Sequence, residues 1–433
     1  MVVNGLWFQQ NNLFMEMYAS ILLYVIPGFF VLMTIEIIYD RVYKKNSYNL
    51  MDTLSSLSSG ITNILKDSLG IIFIIISYPY LLDLLSVINV ESNVYIYILS
   101  FIFIDFASYW GHRLNHKVNL FWNNHINHHS SEEFNLACAL RHSISGLIGF
   151  RAIFLIPAAI FGIPSEIIIT LTPIHLFAQF WYHTQHIGKL GWIEYILVTP
   201  SQHRVHHAIN KKYIDKNLSA IFCIWDRIFG TFQEELDSET PIYGTLKPAL
   251  SWNPFWINFQ HISLLARDAW FTRKWKDKFR LWFMPTGWRP DDVAHRFPIN
   301  TKNPISGEKK YTPYYSLKWK IIASVHFVSI NMMLLYYLYF FDELSSQFQI
   351  NSGLLILTTI FGFTSLMDYH KWAPIFEFLR GIICISLILA PINYFLQIKT
   401  TWFLNFLLIY FIFTAFVGLW AKGKGPDRKL IIN

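Results

Sequence analysis

Apolar stretches long enough to cross a bilayer recur from one end of this chain to the other, and they restrict its fold more than any other feature. A helix rises about 1.5 Å per residue, so roughly 20 apolar residues cover ~30 Å of hydrocarbon. The stretches predict spans near 18–38, 69–88 and 94–110, and a Pro-broken pair near 144–163 and 166–182. Four more fall near 319–341, 352–368, 373–393 and 401–420, which makes nine. Only 15% of the 433 residues are charged, too few for a soluble chain of this length. Lipid offers the backbone no hydrogen bonds, and no strand alternation competes. The expected fold is therefore all-α, a multi-pass integral membrane protein.

Lys and Arg sort by loop. Arg41, Lys44 and Lys45 follow the first span, the 183–318 segment is basic, and Lys422, Lys424, Arg428 and Lys429 sit in the tail. The loops 89–93 and 342–351 have no Lys or Arg. The positive-inside rule puts the basic segments in the cytoplasm; nine spans then place the N-terminus outside and the C-terminus inside. The membrane would be the inner membrane of a bacterium or the endoplasmic reticulum membrane of a eukaryote. Lys399, in an expected outer loop, runs against the pattern. The first seventeen residues hold no Lys or Arg, so no cleavable signal peptide is expected. The net charge of +7 follows from this bias and suits anionic membrane lipids. It does not indicate nucleic acid, because no binding module accompanies it. Cys138, Cys223 and Cys384 are too scattered for a CxxC site and read as inert thiols.

Four segments result: an N-terminal anchor (1–93), a His-rich core (94–235), a cytoplasmic or interfacial segment (236–318) and a four-span block (319–433). Within the third, 255–283 mixes aromatics with Lys and Arg. It reads either as a helix lying in the membrane interface or as a packed helix of the cytoplasmic region.

Twelve of the sixteen histidines lie between 112 and 207. His112 and His116 form HxxxH; His125, His128 and His129 form HxxHH; His203, His206 and His207 form a second HxxHH. On a helix, residues three and four apart share a face, with Cβ atoms about 5–6 Å apart. Each set therefore aims its imidazoles in roughly one direction, as metal–nitrogen bonds of about 2 Å require. Chance would supply one HxxHH in a chain like this roughly 0.02 times. Eight ligands exceed the needs of one ion, so two are implied. Structural zinc sites favour Cys and close at four ligands, whereas imidazole alone suits Zn, Cu, Fe or Ni. The isolated His261, His295, His326 and His370 read as structural.

The three boxes resemble the fatty acid hydroxylase/sterol desaturase superfamily of integral-membrane non-haem iron enzymes. The sequence around them, at 112–143, 179–217, 224–235, 242–248 and 285–290, is similar to its glyceryl-ether-cleaving branch. The resemblance implies that His112, His116, His125, His128, His129, His203, His206 and His207 bind two Fe ions, with His183 of "YHTQH" as a further ligand. Asp105, Glu132, Glu133, Asn135, His142, His186, Asp215 and Asp226 are candidates to orient the ligand rings, or are capping and solvated residues.

The implied reaction is O2- and tetrahydrobiopterin-dependent hydroxylation of the ether O–CH2 carbon of an alkylglycerol. The hemiacetal formed collapses to a fatty aldehyde and a glycerol derivative. The alternatives are a sterol or fatty-acyl hydroxylase or desaturase with another electron donor and, more remotely, a metal transporter. The branch pattern carries Glu, Gln and Glu where this chain has Lys117, His142 and Gln185, which bears on the donor and the exact substrate. Arg151, inside an expected span, must face protein, water or a headgroup, because a lipid-exposed charge is costly.

Overall fold

The computed structural model describes residues 2–71, 73–302, 310–390 and 396–423. Lys424, Arg428 and Lys429 of the basic tail, and the end of the expected 373–393 span, lie outside these residues. The described chain is helical apart from a two-residue parallel pairing of Phe73–Ile74 with Ile148–Gly149. Five helices are long and apolar enough to cross a membrane: Ala19–Val42, Val94–Lys117, Leu317–Tyr339, Ser346–Met367 and Thr401–Ala421. They match five of the nine expected spans, and the chain is a membrane protein.

The count of nine is not reproduced. Residues 69–88 form no continuous helix. Gly70 adopts a left-handed φ of 62°, and only the eight-residue Tyr78–Leu85 helix follows, opened by Pro79. The expected pair at 144–163 and 166–182 is also broken. Arg151–Leu155 is a 3₁₀ turn, Ile156–Ile160 a single α turn, and Ser165–Phe177 has 13 residues, about 20 Å of rise. Gly162 turns the chain between them at φ 65°; a Cβ there would fall 1.7 Å from the Ile88 carbonyl oxygen. These short pieces pack on Val94–Lys117, burying Tyr78, Leu81, Ile104, Ala158, Ile163 and Ile167 together.

A helix that hydropathy does not mark takes a central place. Leu50–Ser68 starts at Asn49, whose side chain accepts from the Met51 N–H. Its sequence, LMDTLSSLSSGITNILKDS, carries two faces. Met51, Leu54, Leu57, Ile61 and Leu65 recur every three or four residues and join the main core with Ile330, Phe363 and Phe411 of the C-terminal helices. Its hydroxyls bond to other segments: Ser55 Oγ donates to the Trp252 carbonyl (2.7 Å) and Ser59 Oγ to the His142 carbonyl of the His-rich core (2.9 Å). At one end Met51 borders a small cavity with Tyr315 and Trp319, and at the other Ser68 Oγ lies 3.1 Å from Tyr337 Oη. The helix thus runs alongside Leu317–Tyr339.

In the C-terminal block, Ala373–Leu389 and Thr401–Ala421 meet through glycine. A Cβ at Gly381 would sit 2.7 Å from the Phe411 carbonyl oxygen, and one at Gly418 2.5 Å from Phe378 N. Small residues at such crossings let helices approach where no hydrophobic effect drives them together. Residues 255–283 are not one helix: Trp275–Arg280 is a separate short one, and the longer is Pro254–Phe271. It buries Ile257, Asn258, His261 and Leu265 against the protein and exposes Trp256, Trp270 and Phe271. The chain then returns along the His-rich core, where Leu120 N–H donates to the Trp282 carbonyl and Asn119 N–H to that of Met284 (both 2.9 Å).

Candidate metal centre

Nine histidines converge in two adjoining groups. His112, His116, His125, His129 and His206 form one; His128, His183, His203 and His207 form the other. Within each, one nitrogen per ring lies within 4.8 Å of the rest. These are the nine expected ligands. Closest approaches are His112 Nε2 to His125 Nε2 (2.8 Å), His183 Nε2 to His203 Nε2 (2.8 Å), His203 Nε2 to His207 Nε2 (3.0 Å) and His128 Nε2 to His183 Nε2 (3.2 Å). Two nitrogens bound at 2.0–2.1 Å and at right angles on one ion would stand about 3 Å apart. The Nε2 atoms of His116, His129 and His206 are buried with no protein partner. Buried polar atoms without partners are rare in native proteins unless an ion or water meets them. The residues present fit a pair of nitrogen-ligated ions.

The local chain explains the split. Each HxxHH box divides its three rings between the two adjoining groups. Residues four apart share a group: His112 with His116, His125 with His129, His203 with His207. Neighbours in sequence separate, because successive helical residues turn by about 100°. His128 therefore leaves His129, and His206 leaves His207, for the opposite group. His112 and His116 occupy the last turns of Val94–Lys117, and the third box is the fully buried Pro200–His207 helix, opened by Pro at its first position. The second box lies on tight turns ending in the 3₁₀ segment His128–Ser130. His129 and His207 stack across the divide at 4.4 Å between ring centroids.

Four of the nine rings are held by their other nitrogen. His112 Nδ1 donates to the Leu218 carbonyl (2.8 Å), His206 Nδ1 to that of Lys216 (3.0 Å) and His183 Nδ1 to that of Gln179 (3.1 Å). A carbonyl only accepts, so Nδ1 carries the proton and Nε2 presents its lone pair inward. Asp215 Oδ1 lies 3.3 Å from His116 Nδ1, and its other oxygen accepts from Lys117 Nζ at 2.7 Å. Burial alone would raise the Asp215 carboxyl; bonds to His116 and Lys117 outweigh it and bring the pKa down to about 2. Burial first, then mutual crowding, hold His125, His128, His129, His203, His206 and His207 well below the ordinary imidazole range; burial takes His183 down to about 3. The cage is neutral, the form in which imidazole binds metal.

Of the eight candidate orienting residues, only Asp215 reaches a ligand ring. Asp226 acts one step back, accepting from the Leu218 and Ser219 N–H groups (2.7 and 2.9 Å) and so fixing the turn whose carbonyl holds His112. Asp105 accepts from Ile221 N, Phe222 N and Trp225 Nε1, and pairs with His175 Nε2 at 2.8 Å. The others are placed elsewhere. Glu132 and Glu133 pair with Lys302 and Lys310, Asn135 caps Leu136–Ala139, and His186 lies 3.5 Å from Asp40 on the first helix. His142 stands near His128 and His183 without a hydrogen bond to either ring.

Sequence reasoning missed the carbonyls of Gln179, Lys216 and Leu218, which carry no side-chain signature. It also missed the aromatic wall: Phe134 is 5.2 Å from His207, Tyr182 4.3 Å from His203 and Trp122 5.1 Å from His116, between ring centroids.

Residues 97–231 match the family model described as fatty acid hydroxylase. A human alkylglycerol monooxygenase is 33% identical over 367 residues, covering 83% of this chain and 81% of that protein. One from Xenopus tropicalis is 32% identical over 365 residues, covering 83% and 80%. The ornithine lipid hydroxylase OlsE of Rhizobium tropici is 26% identical over 135 residues, 31% of this chain and 41% of its own length. No solved structure matches.

Proposed function

This chain belongs to the alkylglycerol monooxygenase family, and we propose that it is a membrane di-iron lipid monooxygenase that hydroxylates the ether O–CH2 carbon of an alkylglycerol. The observation that carries the reading is the neutral cage of nine imidazoles in two adjoining groups. Iron held there supplies O2 activation, with reducing equivalents from an electron donor, for which tetrahydrobiopterin is our choice. One O2, two electrons and two protons convert the ether carbon to a hemiacetal and release one water. Collapse of the hemiacetal breaks the carbon–oxygen bond to glycerol. The aldehyde leaves, and the glycerol oxygen takes the hemiacetal proton.

The chain's own residues perform the remaining tasks. The carbonyls of Gln179, Lys216 and Leu218, with Asp215, keep the rings in the metal-binding tautomer. Phe134, Tyr182 and Trp122 limit water around them.

Leu50–Ser68 and Ala373–Leu389, added to the five apolar helices, make seven crossings in our reading. The N-terminus and the described C-terminal end then lie on opposite sides. The Lys and Arg of 41–45 and 183–318 support a cytoplasmic metal centre and an outer N-terminus. The metal cluster at the end of a membrane helix gives no support to a transport path.

Metal analysis of the pure protein, then anaerobic reduction and exposure to O2 with a panel of ether lipids, tests the proposal. About two irons per chain and aldehyde release are expected from the nine-ligand cage. A hydroxylated or unsaturated acyl product without aldehyde would reject ether cleavage in favour of the sterol or fatty-acyl alternative.

A further inference from the structure

Arg151 opens the stretch Arg151–Ile160, whose other nine residues are all apolar. The side chain is exposed, and among the described residues its guanidinium has no hydrogen-bond, ion-pair or ring partner. Its stem packs on the helix that carries His112: a Cβ at Gly111 would lie 3.3 Å from Arg151 Cγ and 3.7 Å from Nε. Gly111 stands seventeen residues beyond Val94, about 25 Å along the axis, near the edge of a ~30 Å hydrocarbon layer. A positive charge with no protein partner therefore sits at headgroup depth, beside the residue that precedes a metal ligand. At that depth a bare charge is costly unless water or a counter-charge meets it.

We propose that Arg151 is a subsite for the phosphate of a phosphate-bearing glycerol headgroup, holding the lipid substrate beside the metal centre. The inference rests on the lipid-monooxygenase reading above. The planar Arg fork matches phosphate oxygens.

The test compares iron-loaded wild type, R151Q and R151K in lipid nanodiscs, with hexadecylglycerol and its phosphate monoester as probes. R151Q should raise KM for the ester about 10–100-fold, the worth of a charge-assisted hydrogen bond. Its kcat, iron content and KM for hexadecylglycerol should stay near wild type, and R151K should recover part of the loss. Equal losses on both probes, or an unchanged KM for the ester, would overturn the subsite. Equilibrium binding of radiolabelled ester separates the two readings. Arg151-dependent binding without aldehyde release would sink ether cleavage and keep the subsite; aldehyde release with Arg151-independent binding would do the reverse.

Discussion

The His-rich core and the C-terminal block are held together by opposite means. Around the histidines the backbone is irregular, and order comes from polar groups: carbonyls on imidazole Nδ1 atoms, Asp226 on the 218–219 turn, Asn217 bridging the Gln202 and Gln233 carbonyls. In the block, Leu317–Tyr339, Ser346–Met367, Ala373–Leu389 and Thr401–Ala421 pack through apolar and glycine contacts. Among the described residues its one buried ion pair is Glu377–Arg380, bonded on to Thr359 Oγ1 at 2.9 Å. Even histidine differs. His326 of the block bonds to Tyr410 Oη at 2.8 Å and belongs to neither histidine group, whereas nine of the core's twelve do. A site that must hold ions in fixed geometry is built from directional bonds, and a membrane scaffold from close packing.

The sharpest break of this comparison is a ligand substitution. His203→Ala should lose bound iron and drop activity to background, while His326→Phe should keep both; metal analysis beside aldehyde release decides. Next in size, Glu377→Gln leaves Arg380 unpaired in the interior, at a cost of about 3–5 kcal/mol. Unfolding in detergent should show that loss, whereas iron per folded chain stays at the wild-type level. A double change of both residues to apolar ones of similar volume should restore most of the stability.

Asp215→Asn acts on the ring of His116 rather than on the ion and should cost about 10–100-fold in iron affinity or turnover, read by chelator competition. Acid provides a further contrast. The core imidazoles have pKa values lowered on folding, so the unfolded chain binds more protons between their ordinary value and the lowered one. Stability of the metal-free protein is then fully present above pH ~6.5 and is lost as pH falls from there toward about 3, the value for His183. Each such imidazole contributes a slope of roughly 1.4 kcal/mol per pH unit, visible in thermal unfolding and unchanged by the Glu377 substitution. Least of all, Lys399→Ala removes a partly exposed pair with Glu343 and should shift stability by less than about 1 kcal/mol.

The site was more legible in the sequence than the membrane path. Ligand spacing survives any uncertainty about backbone, because residues four apart converge on a helix and on the compact turns of the second box alike. The assignment of each histidine to a group was not legible, since it depends on the 100° turn between neighbours such as His206 and His207. The path failed where burial and polarity part company. Leu50–Ser68 is rich in serine because its hydroxyls meet protein instead of lipid, so hydropathy passes over it. Residues 69–88 are apolar but interrupted at Gly70 and Pro79, so hydropathy alone overcounts them. The role of Asp226 hides for another reason: it binds backbone N–H groups, which any sequence supplies.

The pairs His128–His129 and His206–His207 have a consequence for how the centre fills. In each, a single peptide bond joins an imidazole of one group to an imidazole of the other, so the distance between the two groups is set by covalent geometry at two places. Emptying one site slackens the residues that shape its neighbour. Metal titration followed by calorimetry should therefore show both ions entering in one concerted step, and a chelator should strip them together.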